Sequence, residues 1–284
     1  MTRLSVNLNK VALVRNARSG PTPGPHARPD LHAAAEACVR AGAHGLTLHP
    51  RPDGRHALAE DVAALADWLA PPDGAVELNV EGNPFAGAGA HGGYRYPGFL
   101  ALLEAVRPTQ ATLVPDTPGQ RTSDHGWTLG GSEADRLRPV VAALRAQGSR
   151  VSLFVDPHPD VMARAAALGA DRVELYTGPY ADAFVAGEAE QVLPRYAESG
   201  EAAREAGLGL NAGHDLDRAN LGPFLRAVPG VLEVSIGQAL VADALHLGLE
   251  GAVRAFLDVI ARAPGGDEAG EAEERPGIQR EGRP

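Results

Sequence analysis

In its 284 residues the chain has one cysteine, Cys38, and one lysine, Lys10, against 25 arginines. A lone cysteine closes no disulfide within the chain, which fits a reducing cytoplasm. No stretch approaches the roughly 18 consecutive apolar residues of a membrane-crossing helix. The first fourteen residues alternate apolar with polar side chains and are interrupted by Asn7, Asn9 and Lys10, so they read as neither signal peptide nor membrane span. Positive charge is also short, with a formal net charge of −10. That argues against nucleic acid and against a membrane surface as partners. It leaves small anions open, because a few arginines and backbone N–H groups can hold a phosphate on an acidic protein.

Hydrophobic residues make up 44% and charged residues 22%, the balance of an ordinary globular protein. Short apolar runs alternate with longer Ala/Leu-rich amphipathic segments. The runs predict strands at Leu4–Leu8, Gly45–His49, Ala75–Val80, Ala111–Val114, Val151–Val155, Arg172–Leu175, Leu208–Asn211 and Leu232–Ile236. Most read as apolar on both faces, as buried parallel strands do. Helical patterns cover Leu31–Ala41, Ala59–Leu69, Ser132–Gln147, Pro159–Leu168, Leu193–Ala206, Leu216–Ala227 and Leu249–Ala261. Eight such units match a closed α/β (β/α)8 TIM barrel, whose usual size is about 250 residues. An open doubly wound sheet would carry G-x-G-x-x-G after its first strand, where this chain has NLNKVALVRNARSG. Residues 1–263 are expected to form one catalytic domain. Residues 264–284 are acidic, rich in Gly and Pro, hold −3 of the net charge, and are expected to be disordered. Ser19–Pro29 and Phe85–Gly98, both Gly/Pro-rich, fit neither helix nor strand.

Function is signalled by what ends the strands. The first ends at Asn7, Asn9 and Lys10, the second at His49 with Arg51 and His56 beyond, the third at Glu81. The loop after the fourth carries Asp116, Arg121, Thr122, Asp124 and His125. Asp156 ends the fifth, Glu174 and Tyr176 the sixth, Asn211 and His214 the seventh, and Gly237 the eighth. In a barrel these ends converge on one pocket. A single histidine after a strand is more often a satisfied loop residue, and a single glutamate more often a helix-start acid. Glu174 inside RVELYTG resists that reading, because an unpaired buried carboxylate costs several kcal/mol. His49, His214 and Glu81 can be tuned as acid and base near neutral pH. NAGH at 211–214 and SIGQ at 235–238 bring small residues to the ends where barrels often bind phosphate. Arg15, Arg18, Arg51 and Arg55 can add phosphate contacts, with surface solubility as the plain alternative.

Taken in order, SVNLNKVALVRNAR, GLTLHPRPDGRH, LNVEGNP, TLVPDTPGQRTSDHGW, VSLFVDP, VELYTGPYA, LNAGH and VSIGQAL resemble the pyridoxine 5'-phosphate synthase family from about Leu4 to Ala261. The tail and the 85–98 segment lie outside that likeness. The resemblance implies a TIM barrel with extra helices, assembled as a homo-octamer of four dimers and needing no metal or organic cofactor. It implies condensation of 1-deoxy-D-xylulose 5-phosphate with 3-amino-2-oxopropyl phosphate to pyridoxine 5'-phosphate, phosphate and water. By matching motif, His49 and Glu81 fall on the family's proton acceptors, His214 on its proton donor and Glu174 on a carboxylate that stabilises charged intermediates. Asn7, Arg18, Gly237 and Gln238 fall where the aminoketone phosphate is held, the arginine reaching a neighbouring subunit's site. Arg51, His56 and Thr122 fall where the deoxyxylulose phosphate is held.

The chain departs from the family's commonest pattern at three places. Asn9-Lys10 replaces Asp-His, Asp215 replaces Gly, and Gln238 replaces a common His. Asn9 and Lys10 remain suited to a phosphorylated ketose. Asp215 stands beside the expected phosphate site, or else caps a helix starting at Leu216. The main alternative is a Schiff-base aldolase of the same fold using Lys10. A metal-dependent lyase built on His49, Glu81 and His214 lacks any H-x-H or H-x-x-x-H spacing. A non-catalytic phosphate binder has no need of three convergent proton-transfer groups.

Overall fold

The computed structural model describes residues 1–24, 26–69, 76–117 and 119–263. The expected tail, 264–284, lies outside the described residues.

Strand β1 (Arg3–Asn7) runs into helix α1 (Asn9–Ser19), and α2 (Leu31–Arg40) leads to β2 (Gly45–Leu48). Helix α3 (Ala59–Leu69) leads to β3 (Glu77–Gly82), followed by the short β4 (Gly89–His91) and β5 (Tyr94–Tyr96) and by α4 (Phe99–Val106). Next come β6 (Gln110–Leu113), α5 (Gly131–Ala146), β7 (Arg150–Val155), α6 (Pro159–Ala167) and β8 (Arg172–Tyr176). Two helices, α7 (Gly178–Val185) and α8 (Ala189–Glu205), precede β9 (Gly209–Gly213). The chain then passes through α9 (Leu221–Ala227) and β10 (Val231–Ile236) into α10 (Gln238–Arg262).

Eight strands pair in parallel and close on themselves in the order β1-β10-β9-β8-β7-β6-β3-β2. All eight coincide with strands expected from the sequence, within two residues at most ends. The (β/α)8 barrel is therefore as expected, with α1 and α7 as helices beyond one per strand.

Five expectations are corrected. Residues 85–98 are not free of regular structure, because β4 and β5 form an antiparallel hairpin within them. Tyr94 and Tyr96 bury against the barrel, and the Ala59 amide donates to the Tyr94 hydroxyl at 2.9 Å. Asn9 and Lys10 open a helix and do not continue a strand end. The helix expected from Leu216 starts at Leu221; the Asp217 carboxylate, not Asp215, receives the amides of Ala219 and Asn220. The last helix begins at Gln238 and breaks at Gly248, whose φ of 69° is left-handed.

The fifth correction concerns the strands themselves. They are not apolar on both faces. Leu4, Val6, Leu46, Leu48, Leu78 and Val80 are buried under the helical ring, while alternate residues turn polar groups into the barrel. Ser5 and Thr47 hydroxyls meet at 2.7 Å, Asn79 donates to Thr47 at 3.3 Å, and Thr112 donates to Asn79 at 2.9 Å. Nearer the strand starts, Gln110 reaches across the barrel to Glu233 at 3.3 Å. Arg150 donates to Gln110 at 2.8 Å and pairs with Glu77, and Arg172 donates to Asn211 at 3.0 Å. Barrels are ordinarily filled by branched aliphatic residues. Here the filling is a hydrogen-bonded stack in which most polar groups find a partner, as burial demands, while the Ser152 and Ser235 hydroxyls and one Glu174 oxygen do not. This polar interior carries the strand polarity up to the reactive end.

Candidate active site

At the C-terminal ends of the strands lies a cavity of about 360 Å³. It is lined by His49, Glu81, Glu174 and His214 and by Asn7, Asn9, Lys10, Arg51, His56, Thr122, Asp215, Gly237 and Gln238. The structure thus gathers thirteen of the fourteen candidate side chains. Arg18 is the exception: it sits at the end of α1 beside Ser19, His26 and Arg28, in a separate surface depression. Arg15 also departs from its expected phosphate role. It is buried, and both its terminal nitrogens donate to Asp61 at 2.7 Å.

On one wall His49 stands between two carboxylates. Its Nδ1 is 3.5 Å from Glu81 and its Nε2 is 3.4 Å from Asp116. The backbone places it through Asn9, whose side-chain oxygen accepts the His49 amide at 2.7 Å. Asn7 donates to Glu81 at 2.9 Å and accepts the Asn9 amide at 3.0 Å. Burial alone would raise the Glu81 pKa, but the hydrogen bond and charge of His49, helped by Asn7 and Arg51, hold it below the usual carboxylate range. Glu81 is therefore an ionised base held beside an imidazole. Asp116, within the loop after β6, also pairs with Arg51 at 2.6 Å and so joins the acid/base wall to the cationic one. It stood in the sequence among five polar loop residues and nothing there singled it out.

Facing this wall is Glu174, 3% exposed, with one carboxylate oxygen lacking any protein partner. Burial, then the charges of Glu81 and Glu233, raise its pKa well above normal and favour its neutral, protonated form. Gly213 makes room for it: a Cβ there would lie 2.3 Å from the Glu174 Oε1. Two carboxyls in one cavity thus have their pKa values pushed apart, the arrangement acid and base roles require.

His214 is the third titratable side chain brought to this cavity. Its Nε2 lies 2.6 Å from the Thr122 hydroxyl and its Nδ1 2.7 Å from the Asp215 carboxylate. Its ring meets Tyr176 edge-on at 5.2 Å. The floor near Gly237 lies against Asn7, where a Cβ would approach the Asn7 side chain to 3.1 Å.

The remaining wall is cationic. Lys10, Arg51 and Arg55 stand close enough that burial, then the two guanidiniums, lower the Lys10 pKa. His56 is pushed down to about 2 by burial, then by His49 and Arg51, and is a neutral imidazole. Among the described residues, no group of three His, Cys, Asp or Glu side chains is gathered as a metal ion would need.

Known proteins give the site a context. The chain matches the family described as "Pyridoxal phosphate biosynthesis protein PdxJ" over residues 4–262, a range that includes the 85–98 hairpin. It is 55% identical over 260 residues to a protein of Xanthomonas oryzae pv. oryzae named pyridoxine 5'-phosphate synthase, covering 91% of this chain and 96% of that one. A protein of the same name from Xylella fastidiosa is 51% identical over 259 residues, covering 91% and 95%. Among solved structures, KGPDC from Streptococcus mutans superposes with a TM-score of 0.55 at 14% identity, over 93% of this chain and 100% of that one. Mycobacterium tuberculosis tryptophan synthase gives 0.55 at 14% identity, over 91% and 92%. At such identities the likeness is one of fold.

Proposed function

This chain belongs to the PdxJ family of pyridoxal phosphate biosynthesis proteins, and on that premise we propose that it is a pyridoxine 5'-phosphate synthase. It joins 1-deoxy-D-xylulose 5-phosphate to 3-amino-2-oxopropyl phosphate and releases pyridoxine 5'-phosphate, phosphate and water. The observation that carries this reading is the convergence, in one cavity, of an ionised Glu81 at His49 with a neutral Glu174 and with His214.

The reaction is a series of proton transfers. The substrate amine attacks a ketone, the carbinolamine loses water to give an imine, and ring closure with loss of phosphate follows. Glu81, with His49, removes protons from carbon and nitrogen. His214 returns a proton to a departing oxygen. Glu174, neutral and facing Glu81, donates a hydrogen bond where negative charge develops. Holding both substrates in this frame supplies the entropic part of the rate.

Lys10, Arg51 and His56, with Thr122, receive the phosphate of the ketose, and Asn7, Gly237 and Gln238 that of the aminoketone. A lowered Lys10 pKa is also what a Schiff-base lysine needs. The anion-binding role is favoured because the substrate amine already supplies the nitrogen for an imine, and Arg51 beside Lys10 adds a second cation at that wall. Residues 1–263 act as the single catalytic domain. The enzyme is cytoplasmic and works as a homo-octamer of four dimers, with Arg18 serving a neighbouring subunit's cavity.

The test is turnover of both substrates, with pyridoxine 5'-phosphate and phosphate followed together. Glu81→Gln and His49→Ala are each expected to lower kcat at least about 100-fold. A folded wild-type protein without turnover would sink the reading.

A further inference from the structure

Among the described residues the Asp215 carboxylate is the one acid hydrogen-bonded to His214, and both residues hold backbone geometry that side chains normally avoid. Their φ angles are 84° for His214 and 59° for Asp215. Such strain persists only where the surroundings enforce it. They do so here. The Thr177 hydroxyl donates to the carbonyls of Gly213 and His214, and Asn220 donates to the Asp215 carbonyl at 3.1 Å. The clamped turn aims one carboxylate oxygen at Nδ1, 2.7 Å away, while Nε2 faces the cavity and Thr122.

Two other uses of Asp215 fail on the geometry. It does not cap α9, whose N-cap position is Asn220, and the amides of the turn before that helix, Ala219 and Asn220, go to Asp217. It is a poor direct ligand for a phosphate, since it brings negative charge into a site that binds anions. We propose that Asp215 is a positioning residue for His214: its carboxylate takes the Nδ1–H, fixes the ring's orientation and tautomer, and leaves Nε2 to carry the transferred proton. In the donating step the Nε2 proton passes to the departing oxygen, which leaves as water. The ring is left neutral with its Nδ1–H still on Asp215, and solvent restores the proton. Lys10, whose charge Asp215 also faces, offsets the carboxylate at the mouth of the cavity.

This assignment rests on His214 acting as the acid of the proposed reaction, and the two ideas can fail separately. Asp215→Gly and Asp215→Asn both tolerate a left-handed φ, so neither variant threatens the fold. In Asp215→Gly, kcat is expected to fall at least about tenfold, with KM for both substrates within about twofold. Asp215→Asn, which keeps an acceptor without the charge, should fall in between. A raised KM with unchanged kcat would make Asp215 a substrate ligand and overturn the proposal. Independently of turnover, imidazole ¹⁵N shifts assigned with His214→Gln should show neutral His214 protonated at Nδ1 in the wild type and redistributed toward Nε2 in Asp215→Gly. An unchanged tautomer would overturn the positioning role even in an active enzyme. Wild-type protein that lacks turnover but shows the tautomer change would sink the reaction and spare the contact.

Discussion

Glu174 shows how a single side chain can be worth less to the fold than to the chemistry. It is buried with an unpartnered oxygen at the top of a polar barrel, and burial together with Glu81 and Glu233 raises its pKa. The folded protein therefore keeps a proton that the unfolded chain releases above pH about 4.3. The stability that the neutral carboxyl contributes is complete below that pH and is lost as pH rises toward the folded-state value. Glu174→Gln has the shape of the protonated carboxyl and cannot titrate. Its Tm should match the wild type near pH 4 and exceed it by at least about 3 °C near pH 8, while turnover falls. Equal Tm values at both pH values would mean that Glu174 is ionised in the fold. In the sequence this residue announced itself, because a glutamate at a buried strand position needs a reason. Asp116 did not: its link to His49 and Arg51 arises only when the loop after β6 folds back over β2.

At the scale of elements, the eight barrel strands were legible because each is a short apolar run closed by a functional residue. Their inward faces were misread, since Ser, Thr and Asn among aliphatic neighbours look like tolerated exceptions until the register stacks them into hydrogen bonds. Of the three helices absent from the expected set, α1, α4 and α7, the first and last escaped for local reasons. Helix α1 starts with the polar pair Asn9-Lys10, has no side-chain cap, and buries Asn9, Arg15 and Asn16, so its pattern is not amphipathic. Helix α7 opens on Gly178-Pro179, which reads as a loop. What holds α1 in place is Arg15, whose fork grips Asp61 of α3 while its Nε donates to Asn16 at 2.9 Å. Asn16 in turn donates to the carbonyls of Gly54 and His56 at 2.9 and 2.7 Å. Because α1 carries Asn9 and Lys10 into the cavity, this clamp fixes both the cationic wall and the support under His49. Arg15→Ala strips a bidentate partner from a mostly buried Asp61, which still keeps the Leu58 amide. It should cost about 3 kcal/mol in denaturant unfolding. A loss below about 1 kcal/mol would show that α1 is held by its apolar contacts alone.

For the whole molecule, the decisive residue is the one the cavity does not contain. Arg18 lies on the same helix as Lys10 but at its far end, where it lines a separate depression and not the substrates' cavity. Val14 on the same helix is largely exposed, and Leu245 and Leu247 before the break in α10 are exposed as well. Exposed apolar side chains on these two packed helices suit contact between copies. If Arg18 completes a neighbour's site, activity belongs to the interface, and defects in different subunits can complement. Arg18→Ala and His49→Ala should each be nearly inactive alone. Unfolded, mixed in equal amounts and refolded together, they should recover turnover. In a mixed dimer, the subunit carrying Arg18→Ala keeps its own His49 and receives an intact arginine from its partner. Random pairing then makes about a quarter of all sites complete. Recovery near that level would place Arg18 in trans. A mixture no more active than its parents would confine each active site to one chain and require α1 to rearrange before Arg18 could take part.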